Sequence, residues 1–253
     1  MITSDDVVQH FVSRALTYDK SSSWCTDERL GELVTDTVRA LPGDQVLDVA
    51  CGTGLVSRLF FGRVGRVVGV DITADMAVQA QPYLDELVIA PAENLPFASG
   101  TFDLTICRQG IQFMTLPDAV AEMVRVTRPG GLVVVINLCA YSAADSAEYF
   151  EVLRLRNPVR RHFFLADDLT ALLRDNGCDE VRTHEYVSAE DVDVWSDNGA
   201  ITEESRQAIR DVYRNASPEF RRLHAVRDDD GRIVDNMLFV VAAGRKARGG
   251  SDG

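Results

Sequence analysis

The central motif of the sequence is Val46-Leu47-Asp48-Val49-Ala50-Cys51-Gly52-Thr53-Gly54, an apolar run that ends in two closely spaced glycines. Its apolar and β-branched first half predicts a strand buried on both faces. The glycines predict a tight turn into a helix that starts near Leu55. Glycine in such a turn lets a ligand approach the backbone closely, as in nucleotide-binding α/β folds. The motif therefore predicts a site for an adenosine-containing cofactor.

Two residues of this motif bear on which cofactor binds there. A dinucleotide-binding turn has a third glycine and holds a diphosphate at the helix N-terminus, but this chain has Ser57 at the third position. Asp48 precedes the turn, where its charge would repel a diphosphate. A carboxylate suits a cationic ligand, such as the ammonium and sulfonium of S-adenosylmethionine. A nicotinamide-dependent oxidoreductase and a purely structural turn remain as the disfavoured alternatives.

A second acidic residue, Asp71, follows Gly52 by 19 positions and ends the predicted strand 66–70. An acid at the tip of the second strand can accept hydrogen bonds from both ribose hydroxyls. Ile72 and Met76 come just beyond it and are placed to pack on the adenine ring, although core packing explains Met76 equally well. Together with the glycine turn, Asp71 predicts a complete adenosine site.

Short β-branched runs alternate with amphipathic stretches between about residues 45 and 187, which is typical of βαβ units around a parallel sheet. We predict strands at residues 45–50, 66–70, 87–89, 102–107, 131–138, 181–187 and 237–243. We predict helices at residues 75–83, 117–127 and 166–176, among others. The fold class is therefore α/β.

The remaining segments divide the chain into four predicted parts. Residues 1–41 form a helical cover at one end of the sheet, with Thr26 or Asp27 as a helix N-cap. Residues 42–187 and 233–244 form the cofactor-binding domain. Residues 188–232 form a helical insertion that serves as a substrate lid, since they are too long for a hairpin loop. Residues 245–253 form a disordered tail.

The composition limits the possible partners. The chain has 253 residues, of which 46% are hydrophobic, as expected of a soluble globular protein. Its 39 acidic and 26 basic residues argue against nucleic acid or anionic membranes as partners. Five cysteines without C-x-x-C spacing indicate neither a disulfide framework nor a zinc site. We expect a cytoplasmic protein, without a signal peptide or membrane span, that is a monomer or homodimer.

The chain resembles the class I S-adenosylmethionine-dependent methyltransferases, most closely the ubiquinone/menaquinone-biosynthesis-type branch that methylates small molecules. Five motifs carry the resemblance in order, at residues 46–54, 67–71, 92–97, 102–104 and 125–131. The resemblance implies a Rossmann-like sheet of seven strands, parallel except for the last, flanked by helices and closed by a helical lid. It also implies S-adenosylmethionine as the cofactor and S-adenosylhomocysteine as its product.

The resemblance also implies roles for individual residues. Asp48 lies near the methionine amino group, Ala92 offers its backbone N–H to adenine, and Arg108 lies at the methionine end, where its carbonyl can accept from the ammonium. The expected cofactor-binding residues are Tyr18, Asp48, Ala50, Gly52, Gly54, Asp71, Ile72, Met76, Ala92, Glu93 and Arg108.

One residue departs from the family pattern. Relatives often carry an aspartate that accepts from the adenine amino group where this chain has Pro91. Proline has neither a side-chain acceptor nor a backbone N–H. Adenine must therefore be held by packing, by Glu93 or by another group.

The acceptor side of the site gives weaker signals. Methyl transfer depends mainly on alignment and desolvation, so a base is needed only for an acceptor such as a phenol, alcohol or carbon acid. His162 and His224 are the base candidates, although each is also explained as a surface or packed residue. The substrate candidates follow the fourth and fifth strands or supply charge and aromatic surface: Gln109, Gln112, Tyr141, Arg160 and Arg161.

From these features we predict a methyltransferase that acts on an O, N or C atom of a small organic molecule, with natural product biosynthesis as the expected setting. The main alternative is a protein of the same fold that binds the cofactor or a small molecule without methyl transfer, as a binding module or rearrangement catalyst. Fold alone does not decide between these.

Overall fold

The computed structural model describes residues 2–248 and contains one mixed sheet of eight strands with helices on both faces. The N-terminal cover contains α1 (Ser4–Val12) and α2 (Glu28–Val38), joined by two short 3-10 turns. The strands that follow, each ending near the cofactor motifs, are β1 (Gln45–Val49), β2 (Arg66–Asp71), β3 (Glu86–Ile89) and β4 (Phe102–Arg108). The helices between them are α3 (Ser57–Phe60) and α4 (Ala74–Ala77), which continues as a 3-10 helix over Val78–Tyr83.

The second half of the chain has longer elements. They are α5 (Asp118–Val126), β5 (Thr127–Cys139), α6 (Ser146–Arg156), α7 (Ala166–Asp175), β6 (Cys178–Asp191), α8 (Val192–Ser196), α9 (Glu203–Arg214), α10 (Pro218–Leu223), β7 (Arg227–Asp229) and β8 (Arg232–Lys246). The strand order is β3-β2-β1-β4-β5-β8-β6, with β7 paired to β8. Strand β8 runs antiparallel to both β5 and β6, whereas β1 to β5 are parallel. The predicted α/β sheet with an antiparallel last strand is confirmed.

Alternate residues of the central strands face two separate hydrophobic cores, because successive side chains of a strand point to opposite faces. Val46 and Val134 belong to one core, which packs against α2, α6 and α9. Leu47 and Val135 belong to the other, which packs against α5 and α7. The continuous apolar runs in the sequence reflect this burial on both faces.

Several predicted boundaries differ from the observed ones. Strands β6 and β8 extend well beyond the predicted ranges, since they pair from Cys178 opposite Lys246 to Asp191 opposite Val234. Strand β6 is an edge strand and carries charged residues, so its apolar pattern in the sequence is shorter than the strand itself. The predicted helix at 75–83 is only briefly α-helical, because Pro82 lacks the N–H that an α-helix needs there.

Two predicted domain boundaries were wrong. The predicted insertion at 188–232 is not purely helical. It includes the last residues of β6 and the whole of β7, with three short helices between these strands. Arg245 and Lys246 of the predicted disordered tail are paired in β8, where Lys246 Nζ donates to the carbonyls of Thr127 (2.7 Å) and Arg125 (3.1 Å). The rest of that tail, from residue 249 on, lies outside the described residues. Asp27 is the N-cap of α2, as one of the two candidates predicted.

None of the helices in residues 2–248 is long and apolar enough to cross a membrane.

Candidate functional site

A large cavity opens at the carboxyl ends of β1, β2 and β4, where parallel α/β sheets bind their ligands. Including the solvent at its open mouth, it encloses about 960 Å³. One wall is the glycine turn after β1, a second is residues 71–73 after β2, and a third is residues 108–110 after β4.

The turn after β1 has a left-handed backbone at Ala50, Gly52 and Gly54 (φ +55°, +52° and +85°). Gly52 lines the cavity, so the backbone there is open to a ligand. Gly54 does not line it. A Cβ at Gly54 would lie 3.1 Å from the Cα of Ala80, so this glycine permits close packing of the turn against the segment after α4. The predicted contact of Gly54 with the cofactor stays a prediction.

Asp71 is fixed at the tip of β2 by two backbone donors. Its Oδ2 accepts from the Gly52 N–H (2.9 Å) and its Oδ1 from the Thr73 N–H (2.7 Å). Burial raises the pKa of this carboxyl, although these hydrogen bonds oppose the shift. An ionised carboxylate has about four acceptor positions. Two remain for a ligand in the cavity that Asp71 lines, which suits the paired hydroxyls of a ribose.

Asp48 lies deeper, at the end of β1, and is only 1% exposed. Its Oδ2 accepts from Ser57, from the backbone N–H at 3.0 Å and from the hydroxyl at 2.6 Å. The serine that replaces the third glycine of the dinucleotide pattern therefore anchors this carboxylate. Burial raises the pKa of Asp48 to about 7.

Within residues 2–248, Asp48 forms no ion pair with a basic side chain. A buried carboxylate without a cation is costly. Its position on the cavity wall means that a cationic ligand group can supply the missing charge. The residues present therefore fit the methionine end of S-adenosylmethionine.

The end of the cavity beyond Asp71 is mostly apolar. The residues that line it there are Ile72, Met76, Ala90, Pro91, Ala92 and Glu93. Met76 is buried and lies over the glycine turn, with its Cε 3.5 Å from where a Cβ of Gly52 would be. Glu93 is held by the Thr115 N–H, which donates to its Oε1 at 2.6 Å. This flat apolar slot with one carboxylate suits an adenine ring.

The N-terminal cover supplies the remaining wall, through Ser4, Val7, Phe11, Tyr18 and Trp24. The Trp24 carbonyl accepts from Arg108 Nη2 (2.7 Å), and Asp19 accepts from the Thr53 hydroxyl (2.5 Å). These bonds attach the cover to β4 and to the glycine turn.

The predicted lid at residues 188–232 supplies none of the residues that line the cavity. Its longest helix, α9, packs against α6 on one face of the sheet. The cavity is therefore covered by the N-terminal segment, and the prediction that 188–232 forms the lid was wrong.

Neither predicted base lines the cavity. His162 is half-buried, and its Nε2 lies 3.1 Å from the carbonyl of Met114, to which it donates. Burial lowers the pKa of His162, so the ring is neutral. His224 is completely buried, with Nδ1 2.8 Å from Asp235 and Nε2 3.1 Å from Asp145. It packs in the core next to α10, and the proposal of His224 as a base was wrong.

Of the predicted substrate residues, the structure places only Gln109 on the cavity wall. Gln112 is buried behind it and donates from Nε2 to the carbonyl (2.9 Å) and to the Oε1 (3.0 Å) of Gln109. The Tyr141 hydroxyl donates to the Asn236 carbonyl at 2.8 Å. That bond holds Tyr141 in the core beside His224.

The two predicted substrate arginines are also engaged away from the cavity. Arg160 is buried and donates from Nε to the His162 carbonyl at 2.9 Å. Arg161 donates from Nη1 to the Thr115 hydroxyl at 3.3 Å. Neither side chain lines the cavity, because the segment that carries them bonds to the turn after β4 from behind.

The remaining predicted cofactor residues all line the cavity: Tyr18, Ala50, Gly52, Ile72, Met76, Ala92, Glu93 and Arg108 join Asp48 and Asp71 there. Sequence reasoning missed Phe11 and Phe113 in this lining. No local pattern marks these two aromatic residues, and Phe11 reaches the cavity only through the fold of the cover.

Comparison with known proteins agrees with this geometry. A family model described as a methyltransferase domain matches residues 47–135. The chain is 31% identical over 182 residues to a malonyl-(acyl-carrier protein) O-methyltransferase of Pectobacterium atrosepticum. The aligned region covers 70% of this chain and 68% of that relative. It is 37% identical over 138 residues to a demethylmenaquinone methyltransferase of Renibacterium salmoninarum. That alignment covers 52% of this chain and 58% of that relative.

Solved structures share the fold. The YcgJ protein of Bacillus subtilis superimposes with a TM-score of 0.81 at 21% identity, over 88% of this chain and 100% of that chain. The cyclase SpnF superimposes with a TM-score of 0.61 at 20% identity, over 88% of this chain and 82% of that chain. At these identities the likeness extends to the architecture and not to the reaction.

Proposed function

Because the chain belongs to the S-adenosylmethionine-dependent methyltransferases, we propose that it methylates an O, N or C atom of a small organic molecule. The observation that carries this proposal is the pair of buried carboxylates that line the cavity. Asp71 is oriented by two backbone N–H groups, and Asp48 forms no ion pair with a basic side chain within residues 2–248. Specialised metabolism, a cytoplasmic location and a monomer or homodimer remain predictions from the sequence.

Specific residues would hold the cofactor. Asp71 would accept from the ribose hydroxyls, Asp48 would face the ammonium, and Ile72 and Met76 would pack on adenine. When bound, S-adenosylmethionine supplies a methyl group on a sulfonium. The cover, through Tyr18 and neighbouring residues, would exclude water from that end of the cavity, which strengthens the electrostatic contacts inside it.

The lining favours positioning over proton abstraction. No histidine is among the cavity-lining residues of the described chain. Burial raises the pKa of Tyr18 to about 12, so at neutral pH its hydroxyl donates a hydrogen bond and does not accept a proton. Burial also raises the pKa of the Cys51 thiol, which is therefore protonated. This lining suits an acceptor that is already nucleophilic without a base, such as a carboxylate or an amine.

The alternative function is binding or rearrangement without methyl transfer. Pro91 on the cavity wall keeps this candidate, because proline offers adenine no polar side-chain contact. Formation of S-adenosylhomocysteine during turnover separates the two functions, since only methyl transfer produces it.

Titration calorimetry with S-adenosylhomocysteine tests the cofactor site. Asp71→Asn keeps the shape of the side chain but removes its charge and one acceptor. We expect a loss of affinity of about tenfold to a hundredfold, because hydrogen bonds to a charged group contribute about 1.5–3 kcal/mol. Glu185→Gln, at an exposed position of β6, is the matched control and should bind as the wild type does. If the wild type does not bind, or if Asp71→Asn binds equally well, the proposed site is wrong.

A further inference from the structure

Three arginines, two of them buried and one half-buried, lie close enough to Tyr18 at the covered end of the cavity to act on it electrostatically. Arg14 is 2% exposed and Arg156 is 4% exposed, and Arg108 lies on the cavity wall itself. We call these three residues the arginine cluster. In the described part of the chain, none of them lies within 4.0 Å of a carboxylate oxygen.

Neutral groups are the hydrogen-bond acceptors of the cluster. Arg14 Nη1 donates to Asn157 Oδ1 (3.0 Å), Arg156 Nε to the Trp195 carbonyl (2.8 Å), and Arg108 Nη2 to the Trp24 carbonyl (2.7 Å). Burial lowers the pKa of all three guanidinium groups, that of Arg156 to about 9. Asp48 and Glu190 act on Arg108 and Arg156 only at longer range. Removing three cations from water without a directly paired carboxylate is costly, and aromatic contacts repay only part of that cost.

Three residues that line the cavity have a buried side-chain N–H without a partner. Arg108 Nε, Gln109 Nε2 and Trp24 Nε1 have no hydrogen-bond acceptor within residues 2–248. Buried donors are rarely left unpaired in folded proteins. The end of the cavity that these residues line is therefore short of hydrogen-bond acceptors.

The cofactor by itself does not balance the charge of the cluster. S-adenosylmethionine carries a sulfonium, an ammonium and a single carboxylate, so it adds a net positive charge to the cavity and at most one carboxylate for three guanidinium groups. Its ammonium would pair with Asp48 on the cavity wall. Glu190, which lies on the other side of the cluster, already accepts from the Trp24 and Ser23 N–H groups and from two serine hydroxyls.

We propose that this end of the cavity binds the carboxylate of the methyl acceptor, through Arg108 with Gln109 and the Tyr18 hydroxyl. A guanidinium matches a carboxylate in shape and charge, and tyrosine and amide N–H groups are suitable further donors. Phe11, Trp24 and Phe113 line the neighbouring wall and would pack against an apolar, planar body. The acceptor is therefore an organic carboxylate with an aromatic or other flat apolar group.

This inference rests on the proposed function and agrees with the absence of histidine from the described lining. A carboxylate is already ionised at neutral pH, so its methylation needs no base to remove a proton. The other members of the cluster, Arg14 and Arg156, act at longer range, because their charges add to a positive potential at Tyr18. This local positive potential contrasts with the net charge of −13 of the whole chain.

The test uses the full chain saturated with S-adenosylhomocysteine and a matched pair of probes, benzoate and benzamide. The two probes have nearly the same shape and differ in charge. We expect the wild type to bind benzoate about tenfold or more tightly than benzamide. Arg108→Met should abolish this preference, and Arg108→Lys should retain part of it. Arg182→Met on the exposed face of β6 is the control and should behave as the wild type does.

Three results would overturn the inference. The first is equal binding of both probes by the wild type, and the second is an unchanged preference in Arg108→Met. The third is a role for Arg108 in holding the carboxylate of the cofactor. In that case Arg108→Met would lose affinity for S-adenosylhomocysteine but not for 5′-methylthioadenosine, which lacks the amino acid. Failure of the wild type to bind S-adenosylhomocysteine at all would instead refute the proposed function, and that measurement comes first.

Discussion

The molecule contains two pairs of buried carboxylates, and they differ in what balances their charge. Asp48 and Asp71 lie on the cavity wall and are held by backbone N–H groups and a serine, with no basic side chain paired to them in the described residues. Asp145 and Asp235 lie in the core on either side of His224, which contacts both. One pair is open to a ligand and the other is complete within the protein.

This difference separates a binding site from a structural cluster. Burial by itself lowers the pKa of His224, but the hydrogen bonds and charges of the two aspartates outweigh it and raise the pKa. The Tyr213 hydroxyl donates to the second oxygen of Asp235 at 2.6 Å, and the Tyr141 N–H donates to Asp145 at 2.9 Å. A histidine with two carboxylates can indicate a catalytic site, but here the histidine and both aspartates are fully buried and none of them lines the cavity.

The largest expected effect concerns the core pair. His224→Gln removes the cation between Asp145 and Asp235 and should lower the free energy of unfolding by about 3 kcal/mol, since it leaves buried charge uncompensated. Urea denaturation at pH 6, where the histidine is charged, measures this loss. The control is His184→Gln on the exposed face of β6, which should change stability little. An equal loss in both variants would mean that the buried cluster contributes nothing specific.

A charge-removing substitution in the cavity pair, Asp48 and Asp71, should have the opposite effect: it should weaken ligand binding and not the stability of the protein. Asp48→Asn removes the charge that would face the ammonium of the cofactor, so affinity for S-adenosylhomocysteine should fall by about tenfold or more. The stability of the unliganded protein should not fall, because an uncompensated buried carboxylate is itself costly. Calorimetry and urea denaturation of the same sample measure both quantities. A variant that loses stability but keeps its affinity would show that Asp48 is structural.

The smallest effect is a pH dependence of cofactor affinity. Burial raises the pKa of Asp48 to about 7 in the free protein, and a bound ammonium favours the ionised form and lowers that pKa. Binding therefore releases a proton from Asp48 at pH 6 but not at pH 8. Affinity for S-adenosylhomocysteine should rise between these values, by at most about tenfold per pH unit. Asp48→Asn should remove the Asp48-dependent part of this rise, and an identical rise in the variant would contradict the assignment.

The cofactor half of the site could be predicted from the sequence because its determinants are local. The run at 46–54 requires a buried strand and a turn with left-handed residues, and Asp71 lies at the tip of the next strand. The turn after β1 and Asp71 at the end of β2 lie close together because β1 and β2 are parallel neighbours. The acceptor half could not be predicted in this way. His162, Arg160 and Arg161 follow β5 in sequence, but their segment passes behind Gln112 rather than over the cavity.

The sequence by itself determined the sheet, the glycine turn and the two carboxylates, because alternating burial and backbone conformation are properties of a few adjacent residues. Only the tertiary structure decided which side chains close the cavity. Trp24 and Arg108 are 84 positions apart, and His224 and Asp145 are 79 apart. Contacts over such separations depend on how the elements pack, and no local pattern records them. The arginine cluster exists for the same reason, since the fold alone brings its members to one tyrosine.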